Sequence, residues 1–349
     1  MRPFTIRPAA AAAALVATAL TLTACGGTGT AANSDGGVVT VYSADGLASW
    51  YEPQFEEFTK ETGIAVNLVE AGSGEVVSRV EKEQSNPQAD VVVTLPPFIQ
   101  KAAAQGLLQP SGIDTSAVPA DVQDPAGSYV PVVNNYLTFI ANPGANPTPT
   151  TWDDLLTEQF KGKLQYSTPG QAGDGTAVLL LLQHLMGKEG ALDYLAALQT
   201  NNVGPSSSTG KLQPKVSNGE LLVANGDVQM NLASIRDDGS QFDLFFPANP
   251  DGTRTTIALP YVMGLATGAP RSEEAKQLME YLLSEKAQRA VGTDALGVSV
   301  RTDLTAGEGT DPNTPAGALA GVDVWTPNWN DVLRDLDADL AAYQKATGS

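Results

Sequence analysis

Four turns in this 349-residue chain combine small hydroxyl side chains with glycines. They are Ser43-Ala44-Asp45-Gly46, Gly72-Ser73-Gly74-Glu75, Tyr166 to Thr176 (YSTPGQAGDGT) and Gly204 to Gly210 (GPSSSTG). A hydroxyl donates a strong hydrogen bond and a glycine leaves its backbone amide bare, so together they can surround a tetrahedral oxyanion. Each turn precedes a helical pattern, whose free N–H groups and positive dipole end favour negative charge. Taken singly, each is also explained by helix capping, for which Ser, Thr, Asp and Gly are favoured in any case. Four such turns, two in each half, point towards one shared anion site.

Other chemistries lack their residues. His184 is the only histidine and lies in the apolar run LLLLQHLMG, where packing accounts for it. With that one histidine and a single cysteine, Cys25, no zinc or copper set is expected. The stretch Gly204 to Lys211 departs from a phosphate-binding loop: five residues separate its glycines, and Leu212 stands where Ser or Thr is needed. The acidic run DLDADL around Asp335 lacks the turn glycine and terminal Glu of a calcium loop. No nucleophile with its base gathers around His184, so a binding protein without a cofactor is expected, not an enzyme.

The elements that must carry these turns alternate. Val38–Ser43, Ile64–Val69 and Ala89–Thr94 read as strands, with helices at Trp50–Thr62, Glu75–Gln84 and Phe98–Gln105 between and after them. This is the grammar of an α/β sheet, and its apolar runs lack polar alternation, as strands covered on both faces do. Val130–Ile140 reads as one extended crossing segment. A second unit then follows, with a very apolar helix from Gly175 to Met186, a strand at Leu221–Ala224 and a helix from Asp227 to Arg236. Thr255–Leu265 reads as a strand crossing back, Ser272–Val291 as one long amphipathic helix, and Asn328–Lys345 as the last helix. The expected fold is two α/β lobes, each a mostly parallel sheet flanked by helices, joined by two crossing segments. Residues 38–131 and 260–349 would form the first lobe and 132–259 the second. In open α/β sheets ligands bind beyond the carboxyl ends of the strands, where these turns fall.

The N-terminus reads as an export signal. Arg2 and Arg7 precede an uncharged run from Ala9 to Ala24, the length of a signal-peptide core and short for a membrane span. Leu22-Thr23-Ala24-Cys25-Gly26 looks like a lipobox, so residues 1–24 are expected to be removed and Cys25 to be lipidated, with residues 25–37 as a tether. A lone cysteine excludes an intramolecular disulfide. Without Arg2 and Arg7 the chain carries 18 basic against 39 acidic side chains, a net charge near −21. That excess argues against nucleic acid or an anionic membrane face as partner. It leaves a small anionic ligand possible, because surface charge is screened within roughly 8 Å at physiological salt.

Several stretches resemble the 2-aminoethylphosphonate-binding proteins of bacterial ABC importers: VTVYSADG, SNPQADVVVTLPPFIQ, FKGKLQYSTPGQAGDGTAV, LQTNNVGPSSSTGKL, VANGDVQMNLA and LPYVMGL. The resemblance extends from about Val39 to Asp303, with an echo in WTPNWNDV. The resemblance implies the two-lobed superfamily that also holds ferric-ion and polyamine binders, with the ligand trapped between hinged lobes. It implies a permease and its ATPase as partners, and a monomer on the outer face of the membrane or in the periplasm. By position it implies Ser43, Ser73, Thr94, Ser167 and Thr168 as phosphonate contacts, Gly74 and Gly170 as amide donors, and Thr176 and Ser207 as further candidates. The ligand's ammonium needs a carboxylate or an aromatic face. Asp227 is the first choice, with Tyr261, Glu75 and Asp174 as competitors, although Asp227 could equally be an N-cap. Ferric ion with a synergistic anion and a phosphorylated small molecule are the alternative ligands. The ferric binders' adjacent tyrosine pair is absent here.

Overall fold

The computed structural model describes residues 37–304 and 311–348. The expected signal segment, Cys25 and nearly all of the tether lie outside the described residues. Along the chain, β1 (Val38–Ala44), α1 (Ala48–Thr62), β2 (Ala65–Ala71), α2 (Ser73–Lys82), β3 (Val91–Thr94), α3 (Phe98–Ala104), β4 (Leu108–Gln109) and β5 (Tyr129–Val133) come first. Then follow β6 (Leu137–Ala141), β7 (Leu164–Gln165), α4 (Gly173–Leu198), α5 (Gln213–Ser217), β8 (Val223–Asp227), α6 (Val228–Asp238) and β9 (Asp243–Phe245). The chain returns through β10 (Thr255–Ile257), β11 (Tyr261–Ala266), α7 (Ser272–Leu283), α8 (Glu285–Arg289), α9 (Pro315–Ala318), β12 (Asp323–Trp325) and α10 (Trp329–Thr347).

The strands build two main sheets, one per lobe. The first has the order β2-β1-β3-β11-β4, with β5 also on β11; the second has the order β7-β8-β6-β9. Both are mixed, which corrects the expectation of mostly parallel sheets. β1 pairs parallel with β2 and β3, but β11 runs antiparallel to β3, β4 and β5. In the second sheet only β7–β8 is parallel. The reason is the crossing itself: a strand that re-enters a sheet from the other lobe arrives against the direction of the strands already there. All four residues of β3 are buried, so no polar alternation survives in it.

Two segments cross between the lobes side by side. Asn134 to Tyr136 separates β5 from β6, and Ala258 to Pro260 separates β10 from β11. They are tied by the Leu259 amide donating to the Asn135 carbonyl at 2.8 Å and by a bridge between Tyr136 and Ala258. Each crossing that reads as one extended run in the sequence is therefore two strands in different sheets. The long C-terminal amphipathic run is likewise divided. Ser284 takes an extended conformation and accepts from the Ala287 amide, ending α7 and capping α8. Helix α4 is buried on all sides over its first ten residues and breaks at Gly187. Helix α10 lies along α4 and also meets α3. Among the described residues no helix is long and apolar enough to cross a membrane.

Candidate functional site

The lobes meet where the hydroxyl-bearing turns fall. The Gly74 amide of α2 donates to the Gln171 carbonyl at 2.9 Å, and Gln229 Nε2 donates to the Gly46 carbonyl at 2.6 Å. Ser208 Oγ donates to Asp45 Oδ2, and at the rim Ser49 Oγ donates to Asp237 Oδ2 at 2.8 Å. Glycine makes this approach possible. A Cβ on Gly173, the first residue of α4, would lie 2.5 Å from Leu95 Cδ1 and 2.9 Å from Ser73 Oγ. Gly46 holds a φ of +124°, open to glycine, with the Tyr261 hydroxyl 2.3 Å from where its Cβ would sit.

On the hydroxyl side, Ser43, Ser73, Thr94, Ser167, Thr168 and Thr176 are all buried, but most of their bonding is already spent. Ser43 Oγ donates to the Ala44 carbonyl and lies 3.3 Å from the Tyr51 hydroxyl. Thr94 Oγ1 donates to the Ser73 carbonyl at 3.1 Å. Thr168 Oγ1 accepts from the Ser206 amide, and Thr176 Oγ1 accepts from the Gly170 amide while donating to the Ala172 carbonyl. The two amides expected as donors, those of Gly74 and Gly170, are thus satisfied within the protein. Ser207 is exposed, and its carbonyl abuts Gly72, so its neighbours Ser208 and Thr209 are the buried hydroxyls of that loop. Loop register, which local sequence does not encode, decides this.

Two hydroxyls keep capacity. Ser167 Oγ accepts from Thr209 Oγ1 at 3.1 Å and from Asn225 Nδ2 at 3.0 Å, which leaves its proton to donate. Among the described residues Ser73 Oγ has no hydrogen-bond partner, and it faces Gly173 at the start of α4. By helix geometry the amides of Gly173, Asp174 and Gly175 find no acceptor inside that helix, since its first internal bond runs from Thr176 to Ala172.

Two buried carboxylates stand at helix starts, Asp174 on α4 and Asp227 on α6. Asp227 is fully buried at the N-cap of α6, where its Oδ1 accepts from the Met230 amide at 2.6 Å and its Oδ2 lies 3.5 Å from the Tyr261 hydroxyl. Tyr261 Oη also donates to the Asp45 carbonyl at 2.9 Å and lies 3.3 Å from Gln229 Oε1. Asp174, in the first turn of α4, is as deeply buried, and its Oδ1 has no partner among the described residues. Glu75 is exposed on α2, outside this group, because it lies two residues after the buried Ser73 and so projects from the opposite face of the helix. Burial pushes the Asp174 carboxyl well above the usual carboxylate range, and the charges of Asp227 and Asp45 add to it. Burial also raises Asp227, against which the Met230 amide, Asn135 and the Tyr261 hydroxyl stabilise the anion. Burial followed by the neighbouring acids holds Tyr261 in its neutral, donating form. The side chains of Asp45, Gln229, Asn225 and Thr209 belong to the site and carry no motif of their own. Asp45 and Thr209 could have been found because they sit inside the polar turns.

The contact region between the lobes buries the Ser73 and Ser167 hydroxyls and the first-turn amides of α4 together with the carboxylates of Asp174 and Asp227. Such a set of buried donors and acids suits a small ligand carrying both charges. Among the described residues no three His, Cys, Asp or Glu side chains are arranged to hold a metal ion. Two α/β lobes meeting over a buried polar cleft define a two-lobed binding protein. The chain belongs to the bacterial extracellular solute-binding protein family, which it matches over residues 39–293. It is 51% identical over 319 residues to a provisionally named 2-aminoethylphosphonate-binding periplasmic protein of Salmonella typhimurium, covering 89% of this chain and 93% of that one. Its fold is similar to that of the periplasmic binding protein P5PA, with a TM-score of 0.75 and 21% identity, covering 88% and 99% of the two chains. AfuA of Actinobacillus pleuropneumoniae, solved with fructose-6-phosphate bound, gives a TM-score of 0.73 at 20% identity over 89% and 97%.

Proposed function

We propose that this protein is the exported solute-binding component of an ABC importer and that it captures 2-aminoethylphosphonate between its lobes. The observation that carries the reading is Asp174 Oδ1, a buried and unpartnered carboxylate oxygen on the very turn whose amides start α4. A ligand with an anionic and an ammonium end would satisfy both at once. The Salmonella relative supports the same ligand. In this reading Ser73, Ser167 and the first-turn amides of α4 bind the phosphonate, while Ser43, Thr94, Thr168 and Thr176 hold the turns in place. The ammonium goes to Asp174, with Asp227 and Tyr261 completing its surroundings. Asp227 falls to second place because its cap on α6 already uses one of its oxygens.

Residues 38–131 with 260–304 would move as one lobe and 132–259 as the other, hinged at the paired crossing segments; the C-terminal segment from α9 to α10, expected with the first lobe, packs on α6, β10 and α4 and would move with the second. Cys25 would carry the lipid anchor, and the monomer would deliver its ligand to a permease and ATPase. Calorimetric titration with 2-aminoethylphosphonate, methylphosphonate, phosphate, fructose-6-phosphate and ferric citrate in parallel tests the ligand. Saturable heat with the first, and weaker or no heat with the rest, is expected. Tighter binding of ferric citrate or the sugar phosphate would replace the ligand, and release of phosphate or aldehyde during incubation would replace binding by catalysis.

A further inference from the structure

Helix α10 reaches, from behind, the turn that carries Ser167. Tyr343 Oη lies 2.9 Å from Tyr166 Oη, and both rings are buried. Gln199 Nε2 donates to the same Tyr166 oxygen at 2.5 Å. One turn earlier on α10, a methyl of Leu340 lies 3.0 Å from where a Cβ on Gly170 would be. Lys188 of α4 pairs with Asp335 and Asp339 at 3.0 and 2.8 Å, seating the same helix at a distance from the turn. Helix α10 also packs against α3, which follows Thr94 in the other lobe. Among the described residues α10 contributes no side chain to the hydrogen bonds of the cleft itself.

We propose that Tyr343 is a positioning residue for ligand capture, holding Tyr166 and, through the next peptide, the Ser167 hydroxyl in the place that a bound anion requires. The inference rests on the reading of the cleft given above. Ser167 itself is held by Asn225, which accepts from its amide at 2.8 Å and donates to its Oγ. The Tyr166 hydroxyl is a second anchor, one residue earlier in the same turn. A binding group must stay within about 0.5 Å of its productive place, so slack at either anchor costs residence time of the ligand before it costs fold.

The test is stopped-flow binding of 2-aminoethylphosphonate to wild type, Tyr343→Phe, Tyr166→Phe, the pair of both, and Lys188→Ala, with thermal melts of each unliganded protein. Tyr343→Phe is expected to release ligand about fivefold faster, the scale of one neutral hydrogen bond, with association and the unliganded melt little changed. The pair should be no worse than Tyr166→Phe alone, and Lys188→Ala should bind as wild type does. An unchanged release rate in Tyr343→Phe, or an equal loss in Lys188→Ala, overturns the positioning role and leaves only helix packing. Absence of binding by wild type would instead remove the reading of the cleft, and this inference with it.

Discussion

At the scale of single residues, two buried acids differ in what they lack. Asp227 has the α6 amide and sits by the Tyr261 hydroxyl, whereas one oxygen of Asp174 has nothing. Removing one partner of a buried charge pair costs on the order of 2–5 kcal/mol. Asp174→Asn should therefore weaken 2-aminoethylphosphonate at least about 30-fold and methylphosphonate far less, since only the former has the ammonium. Equal losses by calorimetry would remove Asp174 from that role. The same acid should mark the unliganded protein's response to pH. Its carboxyl is raised in the fold, so the folded state holds a proton that the unfolded chain has released. Its contribution to stability is greatest below the ordinary carboxylate pKa and declines as pH rises towards the raised one. Thermal melts from pH 4 to 8 should then show wild type losing ground to Asp174→Asn on the alkaline side; a constant difference would contradict this. The hydroxyl turns were legible in the sequence, but which hydroxyls remain free was not. Thr94 is spent on the Ser73 carbonyl, 21 residues away, and Thr168 on the Ser206 amide, so availability is a tertiary property.

At the scale of elements, the start of α4 concentrates the site because it is where the second lobe touches the first. Gly173 admits Leu95 and the Ser73 hydroxyl at distances no side chain would allow. Gly173→Ala should leave the unliganded protein folded, since alanine suits a helix better than glycine by about 1 kcal/mol and the lobes can part slightly. It should weaken ligand binding by more than about tenfold, because a 1.4 kcal/mol obstacle to closure already does so. Wild-type affinity in that variant would show that the lobes need not approach this closely. Helix and strand positions were largely readable from period and β-branching, and β1, α1, β2 and α3 fall within a few residues of expectation. What could not be read were the divisions. Ser284 lies inside an unbroken amphipathic pattern, and Ala258 to Pro260 inside an apolar run. A local cap makes the first division, with the Ala287 amide donating to Ser284, and a tertiary partner makes the second, the Asn135 carbonyl beside Leu259.

At the scale of the molecule, closure is sustained by bonds that any ligand would share. Gln229 reaches the Gly46 carbonyl and Ser208 reaches Asp45. At the rim Ser49 meets Asp237, and Arg236 donates to the Thr293 and Asp294 carbonyls. The two-lobed plan was visible in the order of elements, but the mixed sheets and the place of α10 against α4 were not, because strand direction depends on where a crossing segment re-enters. A protein already held together by its own contacts needs less from its ligand, since apparent affinity scales with the fraction of molecules competent to bind. Gln229→Ala removes one interlobe bond, along with the approach of its Oε1 to the Tyr261 hydroxyl, and shifts that fraction without removing a side chain assigned to ligand contact. Its unliganded radius of gyration in solution scattering should increase, and its affinity should fall by a similar factor, about three- to tenfold, for 2-aminoethylphosphonate and methylphosphonate alike. Asp174→Asn should discriminate between those two ligands and Gln229→Ala should not. Were Gln229→Ala also to discriminate, Gln229 would be touching the ligand, and closure and recognition could no longer be assigned to separate residues.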